Sequence, residues 1–238
     1  MDIKIIYEDD SLLILDKPAG ITVNNSDTTK NQETVQDWIK RKFSIFNFQF
    51  SSQEENDFCK RAGIVHRIDK ETSGILLVAK TKNAFENLQA QFKDRIVEKT
   101  YVALVHGHID LDEGKINVPV GRLPWNRKRF GVLAGGRQAE TNYKVLERFN
   151  KPFTLLEVNP KTGRTHQIRV HLKYFNHPVF ADFLYAGRKI ARNDRKILPR
   201  VFLHAKKISF IHPKTGDRVE FESPLPDELT DVINSLKN

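Results

Sequence analysis

Residues 63–74 read Gly63-Ile64-Val65-His66-Arg67-Ile68-Asp69-Lys70-Glu71-Thr72-Ser73-Gly74, and the apolar run Ile75-Leu76-Leu77-Val78-Ala79 follows directly. A short apolar run with little alternation, bounded by turn residues, is typical of a strand buried on both faces. The stretch before it is crowded with charged and hydroxyl side chains, and functional groups tend to lie on loops that a rigid element positions. The pattern therefore indicates either a functional loop or a salt-bridged connection between two strands, since structural ion pairs outnumber active sites.

Composition and charge limit the class of protein. The chain has 238 residues, 39% of them hydrophobic and 16 of them Phe, which is enough for a real core and argues against disorder. Its 39 Lys and Arg against 30 Asp and Glu give a formal net charge of +9. This balance favours a polyanionic partner, with nucleic acid ahead of an anionic membrane surface. No apolar run is long enough for a membrane span, so none is expected.

The cysteine and histidine content bears on compartment and metal binding. Residues 1–10 carry acids and no long apolar segment, so we expect no signal peptide. Cys59 is the only cysteine and has no metal-spaced partner, which favours a reducing cytoplasm. The spacing of His166 and His171 does not place both on one helix face, so no metal site is expected. Without repeats or linkers, residues 1–238 are expected to form one domain, as a monomer.

Hydrophobic periodicity gives a coarse order of elements. Strands are predicted at 3–7, 11–15, 98–105, 141–149, 154–158, 201–211 and 218–222. Helices are predicted at 33–43, 83–95 and 227–236, the second starting with a capping-box-like pair, Asn83 and Glu86. A further helix after Thr165, with Thr165 as its N-cap, would turn Ile168, Leu172 and Phe175 toward the core.

Two segments combine aromatic with polar or basic residues. In residues 43–58, five Phe alternate with Ser, Asn and Gln; they either stack on bases or, as we favour, pack locally into the core. Residues 121–138 hold Arg122, Arg127, Lys128, Arg129 and Arg137 with Trp125 and Phe130, and no acid. Such a segment is either a solvated charged loop or a contact for phosphates and unstacked bases, and the missing acids favour RNA or DNA.

Five motifs, in order along the chain, resemble those of the RluA-type RNA pseudouridine synthases. They are Lys17-Pro18-Ala19-Gly20, His66-Arg67-Ile68-Asp69 with Thr72-Ser73-Gly74, Lys99-Thr100-Tyr101 with Gly107, Gly163-Arg164-Thr165-His166-Gln167-Ile168-Arg169, and Leu203-His204-Ala205 with His212-Pro213. The resemblance implies an α/β pseudouridine synthase fold: a mixed, mostly antiparallel central sheet divided by an RNA-binding cleft and flanked by helices and loops. It also implies isomerisation of uridine to pseudouridine in structured RNA, without metal or organic cofactor. The sequence does not choose between rRNA and tRNA.

The same resemblance assigns roles within the site. Asp69 matches the catalytic aspartate, acting as nucleophile or as base at the ribose, and Arg169 matches the cation that keeps it charged in a dry pocket. Tyr101 matches a tyrosine near the base that is a candidate to remove the C5 proton. Arg67 matches the arginine that fills the space left by the flipped uridine. Further RNA contacts are expected from His66, Thr72, Arg122, Arg127, Lys128, Arg129, Arg164, Gln167 and Leu203.

Many members of that family carry an N-terminal S4 RNA-binding domain, whereas here the motifs begin almost at Met1. We therefore expect no S4 domain, and we expect RNA affinity to come from the catalytic domain's own basic surface, including residues 121–138. Two alternatives stay open. One is an RNA-cleaving or nucleotide-hydrolysing enzyme that uses His66 and Asp69 as an acid–base pair, and the other is a non-catalytic RNA-binding module.

Overall fold

A computed structural model describes residues 2–26, 29, 32–43, 57–127 and 129–237. The strands are β1 Lys4–Glu8, β2 Leu12–Lys17, β3 Ser73–Ala79, β4 Glu98–His106, β5 Glu113–Asn117, β6 Val120–Arg122, β7 Phe130–Val132, β8 Glu140–Arg148, β9 Phe153–Pro160, β10 Leu203–Ile211 and β11 Arg218–Glu222. The helices are α1 Val35–Phe43, α2 Asp57–Lys60, α3 Lys82–Lys93, α4 Gln167–Tyr174, α5 Arg188–Asp194 and α6 Asp227–Lys237. Each strand and helix predicted by periodicity is present, and the sequence pattern missed β5, β6, β7, α2 and α5.

The chain divides into two compact units. The first consists of Met1–Val97 with Lys207–Ser223, and the second of Glu98–Lys206 with Pro224–Asn238. The strand pairings described within each unit are antiparallel. The α/β fold with a mostly antiparallel sheet and flanking helices is therefore confirmed, while the dividing cleft and the single domain stay predictions.

The first unit is built around β3. Every residue of β3 is buried, as the apolar run predicted, and its neighbour β2 runs antiparallel from Leu12 opposite Ala79 to Lys17 opposite Gly74. Helix α3 covers this pair with Phe85 and Leu88, which join the core of the unit. The apolar stripe that predicted α3 is therefore a core-packing face.

The second unit contains an antiparallel run of strands in the order β4, β9, β8, β5. In β4 the residues from Thr100 to Val105 are buried without a break, so both faces of this strand are covered rather than one. Helix α6 occupies Asp227–Lys237, within a residue of its predicted range, and buries Leu229, Val232, Ile233 and Leu236.

Two helix starts differ from the predictions. Helix α3 begins after Thr81, whose side chain accepts a hydrogen bond from the amide of Ala84, so the predicted Asn83–Glu86 capping box is wrong. Helix α4 begins after His166, which has a φ of 56° and makes no side-chain cap bond, so Thr165 is not the N-cap. Several polar residues precede each helix, and intrinsic capping preference does not distinguish between neighbouring candidates.

The basic segment 121–138 is more ordered than a loop. Strands β6 and β7 pair antiparallel, with Val120 opposite Val132 and Arg122 opposite Phe130. This pairing turns the first half of the segment into a hairpin.

Most of the Phe-rich segment, residues 44–56, lies outside the described residues. At its two ends Phe43 and Phe58 are buried, and Phe58 packs edge-on against Phe85. These end residues are in keeping with the core-packing interpretation.

In the part of the chain that the structure describes, no helix is both long and apolar enough to cross a membrane.

Candidate active site

The loop that carries Asp69 is fixed at its start by a close backbone contact. The amide of Ala79 donates to the carbonyl of Gly63 over 2.8 Å, and Gly63 has a φ of +74°. A Cβ at this position would lie 2.0 Å from the Ala79 oxygen, so only glycine fits. The loop of residues 64–72 therefore starts at a fixed point beside the end of β3.

A buried lysine fixes the same loop directly after Asp69. Lys17 is 0% exposed, and its ammonium donates to the carbonyls of Pro18, Ile21 and Lys70 at 2.8, 3.0 and 3.2 Å. The amide of Gly20 also donates to the Lys70 carbonyl, at 2.8 Å. The Lys17-Pro18-Ala19-Gly20 turn therefore holds the backbone next to Asp69, whose side chain is half-buried.

His66 has a structural contact. The amide of Leu77 in β3 donates to Nε2 of His66 over 2.9 Å, and the imidazole stacks on Phe92 with ring centroids 5.0 Å apart. An imidazole nitrogen that accepts a hydrogen bond carries no proton, so the neutral tautomer bears its proton on Nδ1. The predicted RNA contact of His66 stays a prediction, as does that of Thr72, which is 2% exposed and donates its amide to the Asp69 carbonyl at 3.1 Å.

Arg67 is exposed, and no described residue pairs with its guanidinium. An exposed arginine without an acidic partner is available to phosphates and bases. This exposed position is compatible with the role that the family resemblance assigns to Arg67, which is to fill the space left by the flipped uridine.

In the second unit, Arg169 is held by a carboxylate to which no sequence motif pointed. The Nε and Nη2 of Arg169 donate to the two oxygens of Asp182 at 2.7 and 2.9 Å, and Arg169 is 6% and Asp182 0% exposed. The Asp182 carboxylate also accepts from the amides of Leu184 and Tyr185. A bidentate pair satisfied in this way fixes the plane of the guanidinium.

The backbone that presents Asp182 is itself held in an unusual conformation. Ala181 has a φ of 59°, a left-handed conformation that costs a non-glycine residue free energy. Its amide donates to Asp194 at 3.0 Å, and Asp194 also contacts Nε2 of His106 at 2.9 Å. Asp194 on α5 and His106 on β4 therefore support the turn that carries Asp182.

Tyr101 and Leu203 are buried strand residues of the second unit. Tyr101 lies on β4 opposite Val158 and is 9% exposed. Leu203 is the first residue of β10 and is 3% exposed. Both lie on strands rather than on loops, which is how a binding surface of defined shape is built.

Gln167 and Arg164 stabilise the start of α4. The Gln167 Oε1 accepts from Thr162 Oγ1 and the Arg164 amide, while Nε2 donates to the Glu140 carbonyl and Thr141 Oγ1, all within 3.0 Å. Since a carboxamide has about four hydrogen-bonding positions, Gln167 is fully engaged inside the protein. Arg164 donates from Nε to the Gln138 carbonyl at 3.2 Å and is half-buried. Their RNA contacts stay predictions.

The hairpin of β6 and β7 presents part of the basic segment. Arg122 lies over the ring of Phe130, 4.9 Å from its centroid, and donates to the Arg127 carbonyl at 2.6 Å. Trp125 at the tip is 76% exposed. Arg127 is exposed and Arg129 half-buried, while Lys128 lies outside the described residues. An exposed tryptophan among arginines is suited to bases and phosphates.

One lysine near Tyr101 in the chain has a perturbed protonation equilibrium. Burial lowers the pKa of Lys99 from 10.5 to about 8, because the charged ammonium loses hydration there. The charge of Lys99 therefore changes closer to neutral pH than that of an ordinary lysine.

Asp182 and the anchoring role of Lys17 are the main features that the sequence patterns missed. Asp182 is a single acid within the otherwise apolar run Val179-Phe180-Ala181-Asp182-Phe183-Leu184. Because buried charges are almost always paired, an acid in such a run indicates a buried ion pair. The position of Lys17 closely after the apolar run Leu12-Leu13-Ile14-Leu15 in one strand likewise indicates a buried charge that needs hydrogen-bond partners.

Comparison with known proteins identifies the family. The family model described as RNA pseudouridylate synthase matches residues 11–174. The uncharacterised RNA pseudouridine synthase YlyB of Bacillus subtilis is 39% identical over 237 residues, which cover 100% of this chain and 74% of the relative. The ribosomal large subunit pseudouridine synthase D of Nitrosomonas europaea is 40% identical over 240 residues, covering 99% of this chain and 66% of the relative. The ribosomal large subunit pseudouridine synthase C of Vibrio vulnificus is 39% identical over 234 residues, which cover 98% of this chain and 69% of the relative.

The chain thus spans about two thirds to three quarters of the length of these curated relatives. Among solved structures, human RNA pseudouridylate synthase domain containing 1 superposes with a TM-score of 0.73 at 25% identity, over 99% of this chain and 95% of the human one. The sequence-based assignment is therefore confirmed, and the chain belongs to the RNA pseudouridylate synthase family, whose members isomerise uridine in RNA to pseudouridine.

Proposed function

We propose that this enzyme isomerises a specific uridine of large-subunit ribosomal RNA, with Asp69 as its catalytic carboxylate. The observation that carries the proposal is that relatives named for the large ribosomal subunit match 98–100% of the chain, the Asp69 loop included. Their identities of 37–40% hold over the full match rather than over one motif. The net charge of +9 suits a polyanionic substrate.

The reaction exchanges one bond of the nucleotide for another. The C1′–N1 bond breaks, the uracil reattaches to C1′ through C5, and the C5 proton leaves as N1 gains one. No oxidation or reduction takes place, so no electron acceptor is needed. An ionised carboxylate beside the ribose either attacks C1′ or removes a proton from the sugar, and Asp69 is half-buried on a loop held by Lys17.

The other site residues are assigned by the family resemblance. By that resemblance Arg169 matches the cation that keeps the catalytic carboxylate ionised, and the carboxylate of Asp182 fixes the orientation of its guanidinium. Tyr101 lies near the uracil and takes the C5 proton. Arg67 fills the space that the flipped uridine leaves, which offsets part of the unstacking cost of a few kcal/mol.

The hydrolase alternative is not favoured by the geometry of His66. Its Nε2 accepts from a backbone amide of β3 and its ring stacks on Phe92, so moving a proton through Nε2 would break a structural hydrogen bond. The non-catalytic alternative predicts that Asp69, Tyr101 and Arg169 are dispensable for function. Turnover by variants of these three residues distinguishes it from the synthase.

We infer that the enzyme works in the cytoplasm as a monomer. The single cysteine, Cys59, suits a reducing compartment, and a C1′–C5 transfer within one nucleotide requires only one active site. Size-exclusion chromatography with light scattering checks the monomer: a mass near 27.5 kDa is expected, and twice that mass contradicts it.

Mapping of pseudouridines in cells that lack the protein tests the RNA target. We expect one or a few sites in large-subunit rRNA to lose the modification, and expression of the wild-type chain to restore it. Expression of an Asp69→Asn variant should not restore it. Loss of sites in tRNA instead would overturn the rRNA target but keep the activity, and loss of no site would overturn the activity.

A further inference from the structure

The first unit contains a polar pocket next to the Asp69 loop. It has a volume of about 390 Å³ and is lined by Arg67 and Lys70 of the loop and by neutral polar side chains between Thr22 and Gln32. None of the described lining residues has an acidic or apolar side chain. The volume falls within the roughly 300–1,000 Å³ that is usual for ligand pockets.

Hydrogen bonds hold part of the wall of the pocket. Asn25 donates from its backbone amide to Gln36 at 3.0 Å and from Nδ2 to Asp37 at 2.7 Å. The amide of Ser26 donates to Thr29 Oγ1 at 2.8 Å. These bonds fix the part of the wall formed by Asn25, Ser26 and Thr29, so a ligand does not have to create the shape of that part.

Two of the residues that line the pocket have a polar group without a hydrogen-bond partner among the described residues. Asn24 Oδ1 is buried and has no hydrogen-bond partner, and no described residue pairs with the Arg67 guanidinium. A buried acceptor without a donor costs free energy, so such an atom usually marks a missing ligand or water. Lys70 lies at the rim, where its Nζ donates to Gln32 Oε1 at 3.0 Å, and an ammonium has further donors to offer.

We propose that this pocket binds a nucleotide of the RNA substrate that flanks the target uridine. Its phosphate lies at Lys70, the cation that lines the pocket beside Arg67, and a donor on its base edge, an amino or imino N–H, bonds to Asn24 Oδ1. The inference deepens the proposed function and rests on it.

The chemistry of the pocket favours this occupant. Among the described lining residues there are two cations and no acid, a combination that attracts a phosphate, while the neutral amides and hydroxyls match the edges of a base. An apolar ligand would leave the lining groups unsatisfied, which is costly. Lys70 also directly follows Asp69 in the chain, so a nucleotide whose phosphate it binds lies next to the reacting one.

The first test compares Lys70→Ala with Lys82→Ala, which removes the same charge from an exposed position on α3 of the same unit. The substrate is rRNA from cells that lack the protein, labelled with tritium at uridine C5. We expect Lys70→Ala to raise KM about fivefold to tenfold, with kcat within about twofold, and to reduce the salt slope of RNA binding by about one. Lys82→Ala should change neither.

The second test concerns the base edge. Stem–loops containing the mapped uridine carry purine riboside, whose base has no amino or imino donor, at one flanking position at a time. We expect the wild type to lose about tenfold in kcat/KM at one of these positions, and Asn24→Ala to show no such discrimination. Asn24→Asp is nearly isosteric and serves if the alanine variant unfolds. It should raise KM, because its negative charge lies in the same pocket that the phosphate of the flanking nucleotide enters.

Different results would contradict the proposed RNA subsite and the proposed function. If the wild type releases tritium but Lys70→Ala, Asn24→Ala and Asn24→Asp behave like Lys82→Ala, the pocket is not an RNA subsite and the proposed function stands. If purine riboside is tolerated at every flanking position, the role of Asn24 is wrong. If the wild type releases no tritium from any RNA, the proposed function itself is wrong.

Discussion

His66 belongs to the motif that most strongly suggests catalysis, yet its described contacts are structural. Its Nε2 accepts from the amide of Leu77, which is 0% exposed, and its ring stacks on Phe92. We expect His66→Ala to lower the free energy of unfolding by about 1–3 kcal/mol, because the Leu77 amide is left without its partner. Tritium release per folded molecule should stay within about tenfold of wild type. Urea unfolding and the release assay together measure this, and loss of all tritium release in a folded variant would show that His66 takes part in turnover as well as in structure.

Asp182 is expected to matter more for stability than any surface acid. Asp182→Asn removes one partner of a buried pair and leaves the Arg169 charge uncompensated, which costs about 3–5 kcal/mol. Asp112→Asn is the matched control, because Asp112 pairs with Arg148 at the surface, where such a pair contributes about 0–1 kcal/mol. Chemical unfolding compares the two. Equal, small effects would show that Asp182 does not hold Arg169.

Lys99 makes stability depend on pH. Its pKa is about 8 in the folded protein and 10.5 in the unfolded chain, so the unfolded state binds more protons between these values. The free energy of unfolding therefore rises from pH 8 to pH 10.5, and below pH 8 the burial cost of the charge is fully present. Relative to Lys99→Met, the wild type should gain up to about 3 kcal/mol across this window. Urea unfolding of both proteins measures the difference, and a gap that is flat with pH would contradict the shift.

At the scale of elements, hydrophobic pattern predicted the strands and long helices, and side-chain chemistry alone did not predict their ends. The uniform burial of β3 follows from its apolar run, and α3 follows from the spacing of Phe85 and Leu88. The start of α4 depends on the left-handed backbone of His166, whose ring contacts Tyr185 Oη at 2.8 Å. Such a tertiary contact has no local sequence signal, and neither does the pairing of β6 with β7.

The residues of the candidate site likewise divide into those that the sequence could predict and those that it could not. The motif residues Arg67 and Asp69 could be selected from the sequence, since they lie on a loop beside an obviously buried strand. The groups that hold the site could not, because their partners are distant in sequence: Lys17 binds the Lys70 carbonyl, and Asp182 binds Arg169. Asn24 gave no signal at all, because an unpartnered carboxamide is recognised only when its surroundings are known.

The hairpin of β6 and β7 is expected to contribute to RNA affinity through charge. We expect the double variant Arg127→Ala, Arg129→Ala to weaken RNA binding and to reduce the salt slope by about 0.7–0.9 for each phosphate that it no longer neutralises. The control is the double variant Lys189→Ala, Arg192→Ala, which removes two exposed charges from α5 of the same unit. Binding titrations at several salt concentrations measure both, and equal slopes would remove the role given to the hairpin.

For the molecule as a whole, family membership and fold agree. Five motifs distributed from Lys17 to Pro213 predicted the family, and the family model, curated relatives and a superposable human structure confirm it. What the family does not fix is which nucleotides this chain reads. That choice depends on surfaces such as the polar pocket at Asn24 and the basic hairpin, whose residues other than Arg67 lie outside the five motifs.

The central claim is that the chain converts uridine to pseudouridine through Asp69, and release of tritium from C5-labelled rRNA tests it most directly. The RNA is taken from cells that lack the protein, so that the target is unmodified, and Asp69→Asn is compared with wild type after both are shown to be folded. We predict release by the wild type and at least about a 10³-fold lower rate for Asp69→Asn, as for removal of a catalytic nucleophile or base. No release from rRNA or tRNA by the wild type, or undiminished release by Asp69→Asn, would contradict the account.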